Sequence, residues 1–189
     1  MDLKFHAFDK SGKQNTVRAL TLAKENADIL GIKDILIAST EGYTAEQAVK
    51  IFDPNIYNLF VITHSFGFRD GTDQEFNEVL RQNLEKQGVH VHSSTHVYSG
   101  IGPALHKEWG FWDYSNIFAR TVRKLFSDGV KVCHEIALIA ADSGLVKPGS
   151  DVISVGGTGR GADTVCWIKA TSSHNFLDAR IKAILAKPI

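Results

Sequence analysis

The sequence predicts a three-layer α/β/α sandwich with a mixed sheet of about five strands. In the first half of the chain, segments typical of strand, helix, strand, helix and strand follow one another, and the strands are aliphatic runs rather than alternating patterns. Parallel strands that are covered by helices on both faces have this character. Near the C-terminus, only a short glycine-rich loop separates two strands. A parallel crossover needs a longer connection, so the last strand should run antiparallel.

The first half opens with a predicted helix over residues 16–30, where apolar side chains recur at helical spacing. Gly31 follows this segment and suits the left-handed conformation that often ends a helix. The other elements predicted in this half are a strand in 32–40, a helix at 44–52, a strand at 58–64, a helix at about 74–87 and a strand at 89–95.

The second half begins with a stretch at 95–115 that has no clear periodicity and is rich in aromatic residues. A long irregular segment in a compact domain suggests a lid or a subunit contact. Its aromatic rings could stack on a planar ligand, anchor a homodimer or pack over the edge of the core. The elements predicted after it are helices at about 116–127 and 130–143, strands at 151–157 and 164–171, and a final helix at 175–186.

Composition limits the classes of protein. The chain has 189 residues, of which 43% are hydrophobic, which suffices for one core and predicts one domain over 1–189. Its formal net charge is zero, so composition provides no case for nucleic acid or an acidic membrane as a partner. No apolar run approaches the roughly 20 residues of a membrane span, and the first residues lack the apolar core of a signal peptide. We expect a soluble, cytoplasmic protein.

The loop after the first strand reads Ser39-Thr40-Glu41-Gly42-Tyr43-Thr44 and leads into a helix. Hydroxyl groups and free backbone N–H groups at such a position favour an anion. The alternative is plain N-capping by one of the hydroxyls. Three hydroxyls around a glycine exceed what a cap requires, so we interpret this loop as a phosphate site.

The loop at 156–164 contains four glycines and one arginine, Arg160. Its spacing resembles the loosened dinucleotide fingerprint, but that fingerprint must open a helix and the segment that follows is typical of a strand. A simple hairpin turn is one interpretation. Arg160 and the dense backbone amides favour the other, a close approach to an anionic ligand.

The titratable residues indicate no catalytic centre. His64, His90, His92 and His96 could form a zinc site, but no carboxylate or cysteine accompanies them at ligand spacing, so we predict no metal. Glu135 shares a helical stripe with Lys131 and Asp142, which favours a solvated edge. Cys133 and Cys166 fit neither a disulfide framework nor a CxxC pair and are expected to be core thiols.

Several separate motifs carry a resemblance to a known family. IASTEGYTA resembles the phosphate loop of the effector site in the C-terminal domain of pyruvate kinase, and PGSDVISVGGTGRGADTVCWIKA resembles the final hairpin of that domain. The chain is similar to a family of freestanding proteins with a pyruvate kinase C-terminal domain-like fold. The blocks that match it are 8–16, 38–45, 61–71, 93–102, 129–146 and 156–164. The resemblance implies a five-stranded sheet of order 3-2-1-4-5 with the last strand antiparallel.

The same resemblance implies a phosphate-bearing ligand, with flavin mononucleotide (FMN) as the expected cofactor. The residues that it assigns to the phosphate are Ser39, Thr40, Gly42, Tyr43 and Thr44. The residues that it places beside the ribityl or ring portion are Gly157, Thr158, Gly159 and Asp163, with His64 and Thr95 flanking the pocket.

The expected function is therefore binding of a small phosphorylated ligand at the C-terminal ends of the parallel strands. We expect no pyruvate kinase activity, because the catalytic barrel of that enzyme has no counterpart in 189 residues. One alternative is a flavin-dependent oxidoreductase, in which the flavin reacts and the protein orients it. The other is a module that senses a phosphorylated metabolite and acts through a homo-oligomer.

Overall fold

The computed structural model describes residues 2–69, 71 and 73–189. The strands are β1 (His6–Phe8), β2 (Asp34–Ala38), β3 (Asn58–His64), β4 (His90–Ser94), β5 (Asp151–Gly156), β6 (Thr164–Lys169) and β7 (Arg180–Pro188). The α-helices are α1 (Thr16–Leu30), α2 (Tyr43–Ala48), α3 (Glu78–Glu85), α4 (Gly102–Trp109), α5 (Tyr114–Leu125) and α6 (Asp128–Asp142). Short 3-10 helices lie at Lys13–Asn15 and Ser173–Asp178.

One mixed sheet has the order β1-β7-β6-β5-β2-β3-β4. Strands β2, β3, β4 and β5 are parallel, and β6 runs antiparallel to β5. These five strands are the predicted ones, and they stand in the predicted order 3-2-1-4-5. The prediction of the α/β fold is confirmed. The sheet also has two further strands, β7 and β1, beyond the predicted edge.

The central strands are continuously apolar because both faces of the sheet are covered. In β2, Ile35 and Ile37 belong to a core cluster with α1, α2 and α3, whereas Leu36 belongs to a second cluster with α6. Successive side chains of a strand point to opposite faces, so each cluster receives every second residue. Helix α5 packs outside α6, where Ala119 and Leu138 share a small cluster with Tyr98. The three predicted layers are present.

The prediction of a helix at 175–186 is wrong. Most of that segment forms β7, which pairs antiparallel with β6 and parallel with β1. Its alanines, lysines and leucines have good helix propensity, but this preference is a weak prior. Without β7, β6 would be an open edge of the sheet. Burial of Leu185 in the first core cluster adds to the stability that favours the strand.

The segment at 95–115 is less irregular than predicted, since it contains α4. Pro103 lies in the first turn of this helix, and Gly110 ends it with a φ of 75° in the left-handed region. The Trp112 ring stacks on His106 with centroids 3.8 Å apart. Trp109 and Tyr114 are instead largely exposed, at 64% and 92%.

Helix α6 is buried, as predicted. Ser127 caps it by accepting a hydrogen bond from the backbone N–H of Val130 at 3.2 Å. Cys133 on this helix and Cys166 on β6 are both fully buried, which confirms them as core thiols.

Within the described residues, none of the helices is long and apolar enough to cross a membrane.

Candidate functional site

A cavity of about 330 Å³ opens at the C-terminal ends of β2, β3 and β5. Strand order reverses about β2, whose two neighbours are β3 and β5. Ligands of open α/β sheets bind at this kind of switch point. The residues that line the cavity are Ala38, Ser39, Thr40, Thr44, Ile62, His64, Phe68, Arg69, His96, Ser99, Arg123, Lys131, Val132, Glu135, Ile136, Gly157, Gly159, Arg160 and Gly161.

Six of the eleven residues that the resemblance assigns to the ligand line this cavity. They are Ser39, Thr40, Thr44, His64, Gly157 and Gly159. They come from the loop after β2, the end of β3 and the loop between β5 and β6. The fold thus brings the two predicted binding loops to one place, although more than 110 residues separate them in the sequence.

The other five predicted residues are outside the cavity lining. Gly42 has a φ of 111°, and a Cβ there would lie 2.2 Å from the Leu80 side chain, so this glycine faces α3. The Tyr43 ring packs under the ammonium of Lys13, with Nζ 3.8 Å from the ring centroid. Thr95 is exposed and Thr158 is half-buried. The fifth, Asp163, is buried behind the loop.

Asp163 anchors the glycine-rich loop from the inside. Its side chain has no exposed surface, and its carboxylate accepts hydrogen bonds from the backbone N–H of Gly12 at 2.9 Å and the hydroxyl of Thr164 at 2.8 Å. The backbone N–H of Ala162 donates to the hydroxyl of Thr16 at 3.0 Å. The segment before α1 and the first residue of α1 therefore hold the loop in place.

Asp163→Asn should destabilise the protein rather than weaken ligand contacts. The substitution removes the charge that strengthens both hydrogen bonds, and we expect a loss of about 1.5–3 kcal/mol in the free energy of unfolding. Urea denaturation measures this loss as a lower midpoint at unchanged slope. An unchanged midpoint together with weaker ligand binding would indicate instead that Asp163 contacts the ligand.

The loop at 39–44 presents hydroxyl groups from a fixed backbone. The Ser39 hydroxyl accepts a hydrogen bond from the backbone N–H of Ala45 at 3.4 Å, and the Thr63 hydroxyl donates to the carbonyl of Thr40 at 3.1 Å. Thr44 is 2% exposed and lines the cavity. Helix α2 has only six residues, so its dipole is short and the loop's own donors must supply most of the attraction for an anion.

Ionic groups of both signs surround the mouth of the cavity. Arg160 contacts Glu41 at 2.6 Å and Glu75 at 3.6 Å, and Arg69 contacts the same Glu75 oxygen at 3.1 Å. The other Glu75 oxygen lies 2.6 Å from Nδ1 of His64. Two guanidinium groups thus converge on one carboxylate at the rim of the cavity.

Two histidines and one phenylalanine form an aromatic wall. The Phe68 ring lies 4.0 Å from the ring of His64 and 4.6 Å from that of His96, measured between centroids. Burial lowers the pKa of His96 to about 4. His96 is consequently a neutral imidazole at pH 7.

The opposite wall comes from α6 and carries a buried ion pair. Lys131 and Glu135 are each 3% exposed and contact one another across one helical turn. Glu135 also accepts a hydrogen bond from the backbone N–H of Tyr98 at 2.9 Å, and the Tyr98 hydroxyl contacts Nδ1 of His134. Burial lowers the pKa of Lys131, and Glu135 acts against that shift.

The expectation of a solvated edge for Lys131 and Glu135 is wrong. Their helix is apolar on nearly every side, so any charged residue on its inner turns is buried with it. That conflict between a charged pair and an apolar helix was visible in the sequence and could have marked the site. The cavity-lining residues Phe68, Arg69 and Ser99 carried no such signal, because their loops have no periodicity, and Arg123 lies on α5, where the sequence alone does not show which helix face meets the cavity. Among the described residues, no three His, Cys, Asp or Glu side chains cluster as metal ligands would.

The sequence of the chain matches one known protein family. The model of the pyruvate kinase alpha/beta domain matches residues 17–166, from the start of α1 into β6. This match covers both loops of the cavity and the buried pair on α6. The chain belongs to the pyruvate kinase alpha/beta domain family.

Proposed function

We propose that this chain binds a phosphate-bearing ligand in the cavity and that FMN is that ligand. The observation that carries the proposal is the meeting of two loops in one cavity. Thr40 and Thr44 provide hydroxyls on one side, and residues 157–161 provide a glycine-rich backbone on the other. We call these two parts together the phosphate cradle.

The chemistry of the cradle suits a phosphate. A Cβ at Gly157 would lie 2.4 Å from the carbonyl oxygen of Gly161, so the loop folds tightly on itself and only glycine fits. Backbone amides in tight loops of this kind form anion-binding concavities. Arg160 lies on the same loop, with its guanidinium paired to Glu41 and Glu75 at the rim.

The middle of the cavity suits a planar, mostly apolar ring. Ile62, Phe68, Val132 and Ile136 contribute apolar side chains, and the volume of about 330 Å³ lies within the range of small-molecule sites. In FMN the phosphate and the isoalloxazine ring are at opposite ends of a flexible chain. The phosphate would occupy the cradle and the ring would extend toward α6.

Valine substitutions in the cradle test the proposal. A lost hydrogen bond to a charged group costs about 1.5–3 kcal/mol, so Thr40→Val and Thr44→Val should each weaken FMN binding roughly 10- to 150-fold. Calorimetric titration with FMN and with riboflavin, which lacks the phosphate, measures the effect. The wild type should prefer FMN, and each variant should lose part of that preference while its riboflavin affinity stays the same. Equal affinity of the wild type for the two flavins would contradict a phosphate site.

A second candidate function is a flavin-dependent oxidoreductase. The observation that favours it is a pair of titratable groups in the cavity lining, His96 and Lys131, whose pKa values are both lowered by burial. Perturbed pKa values in a cleft are typical of sites that perform chemistry. Bleaching of the bound flavin by NADH or NADPH would support this function, and a flavin that stays oxidised with both would leave simple binding as the proposal.

A further inference from the structure

The ammonium of Lys131 is buried beside Glu135 and lies 5.7 Å from the centroid of the Tyr98 ring. This ammonium carries three N–H donors, and within the described part of the chain Glu135 is its one hydrogen-bond partner. A buried ion pair of this kind rarely adds stability over a well-packed apolar pair, because removing both charges from water is costly. The pair also lies on the wall of a cavity rather than in the closed core.

The position of the pair relative to the phosphate cradle is set by the sheet. Helix α2, which begins at Tyr43, packs on the face of the first core cluster, whereas α6 packs on the opposite face. The cavity crosses the end of the sheet between these faces. A ligand with its phosphate in the cradle therefore directs its other end toward Lys131.

A hydrogen-bond acceptor on the ligand would satisfy the remaining N–H donors of Lys131. Both oxygens of Glu135 already accept hydrogen bonds, one from Lys131 and one from the backbone N–H of Tyr98. Within the described residues, the ammonium is thus the member of the pair whose N–H donors are not all used in hydrogen bonds. It faces a cavity whose neighbouring walls include the apolar Val132 and Ile136. A carbonyl oxygen satisfies such a donor without bringing a further charge into the site.

We propose that Lys131 is the carbonyl-binding residue of this cavity, and that the ligand class is phosphorylated compounds with a carbonyl group at the end remote from the phosphate. The inference rests on the proposed function only for the phosphate cradle. FMN belongs to this class through the carbonyl groups of its ring. Phosphorylated aldehydes and ketones belong to it as well.

A phosphorylated aldehyde tests the arrangement directly on the unmodified protein. 4-Formylbenzyl phosphate carries its aldehyde and its phosphate at opposite ends of a planar ring and would place the aldehyde at Lys131, whose ammonium passes a proton to Glu135. The free amine adds to the aldehyde carbon, and Glu135 returns the proton as water leaves, which forms a protonated imine. Cyanoborohydride delivers hydride to the carbon of this iminium and leaves a stable secondary amine. Lowering of the lysine pKa by burial favours this reaction.

Peptide mass spectrometry identifies the labelled lysines. We expect Lys131 to be labelled ahead of the exposed Lys50 and Lys147. The same aldehyde without the phosphate, 4-(hydroxymethyl)benzaldehyde, should label Lys131 roughly 10- to 150-fold less efficiently, the factor expected for lost hydrogen bonds to a charged group, and should label Lys50 as before. Thr44→Val should lower the labelling of Lys131 alone.

Two results would overturn the inference: labelling of the exposed lysines without Lys131, or equal labelling of Lys131 by both aldehydes. Competition by FMN separates this inference from the proposed ligand. Protection of Lys131 by FMN supports both. Phosphate-dependent labelling that FMN does not reduce would support the role of Lys131 and contradict FMN as the ligand.

Discussion

Replacing Glu135 by leucine should lower the free energy of unfolding by about 3–5 kcal/mol, because it leaves the ammonium of Lys131 buried without its partner. The backbone N–H of Tyr98 loses its acceptor in the same step. The loss should shrink as the pH rises from 7 toward 10.5, the ordinary pKa of lysine. In this interval the unfolded chain binds more protons than the folded one, so stability rises with pH.

The matched control is the double variant Lys131→Met with Glu135→Leu. It removes both charges and fills the site with side chains of similar size, so most of the lost stability should return. Urea denaturation of the wild type, the single variant and the double variant between pH 7 and 10 measures both effects. A single variant as stable as the wild type would show that Lys131 reaches solvent and is not buried.

Gly157→Ala should cost about 3 kcal/mol of folding free energy and disrupt the phosphate cradle. A Cβ there would lie 2.4 Å from the carbonyl oxygen of Gly161 and 2.8 Å from the Cα of Ala162. These are backbone atoms of the same loop and cannot rotate away as a side chain would, so the loop must open. We expect FMN affinity to fall by roughly tenfold or more as the loop amides move from the ligand.

Gly159→Ala is the matched control in the same loop. A Cβ at Gly159 meets nothing within 4 Å, but its φ of 66° is unfavourable for alanine. The cost should be only the backbone strain, about 1–2 kcal/mol. Denaturation and FMN titration of both variants distinguish the two causes. A larger loss in the Gly159 variant than in the Gly157 variant would contradict the tight loop described above.

The core of the fold could be predicted because its signals are local. Continuous apolar runs such as 58–64 identified the buried strands, and the short glycine-rich loop after β5 identified the antiparallel pair. Their order came from the resemblance of several motifs to one family. The outer strands lacked such signals. Strand β1 has three residues, and β7 has the composition of a helix, so only pairing with β6 decides its conformation.

The candidate site could be predicted where loops follow strands and not where the fold buries charge. Thr40 and Gly157 lie in loops, and Thr44 in the helical turn that follows one of them, and the composition of these segments already indicated an anion site. Asp163 has the same loop context, yet its partner Gly12 lies 151 residues away in the sequence, so its burial could not be predicted from local pattern. The role of α6 in the cavity likewise depends on packing across the sheet.

A crystal structure of the protein with FMN would show where the phosphate and the ring bind. We predict density for the phosphate within hydrogen-bond distance of the hydroxyls of Thr40 and Thr44 and of the backbone amides of residues 157–161. The isoalloxazine ring should lie against the apolar side chains of Ile62, Val132 and Ile136, with one of its carbonyl groups toward Lys131. A phosphate bound elsewhere on the surface, or a flavin whose ring occupies the cradle, would contradict this account.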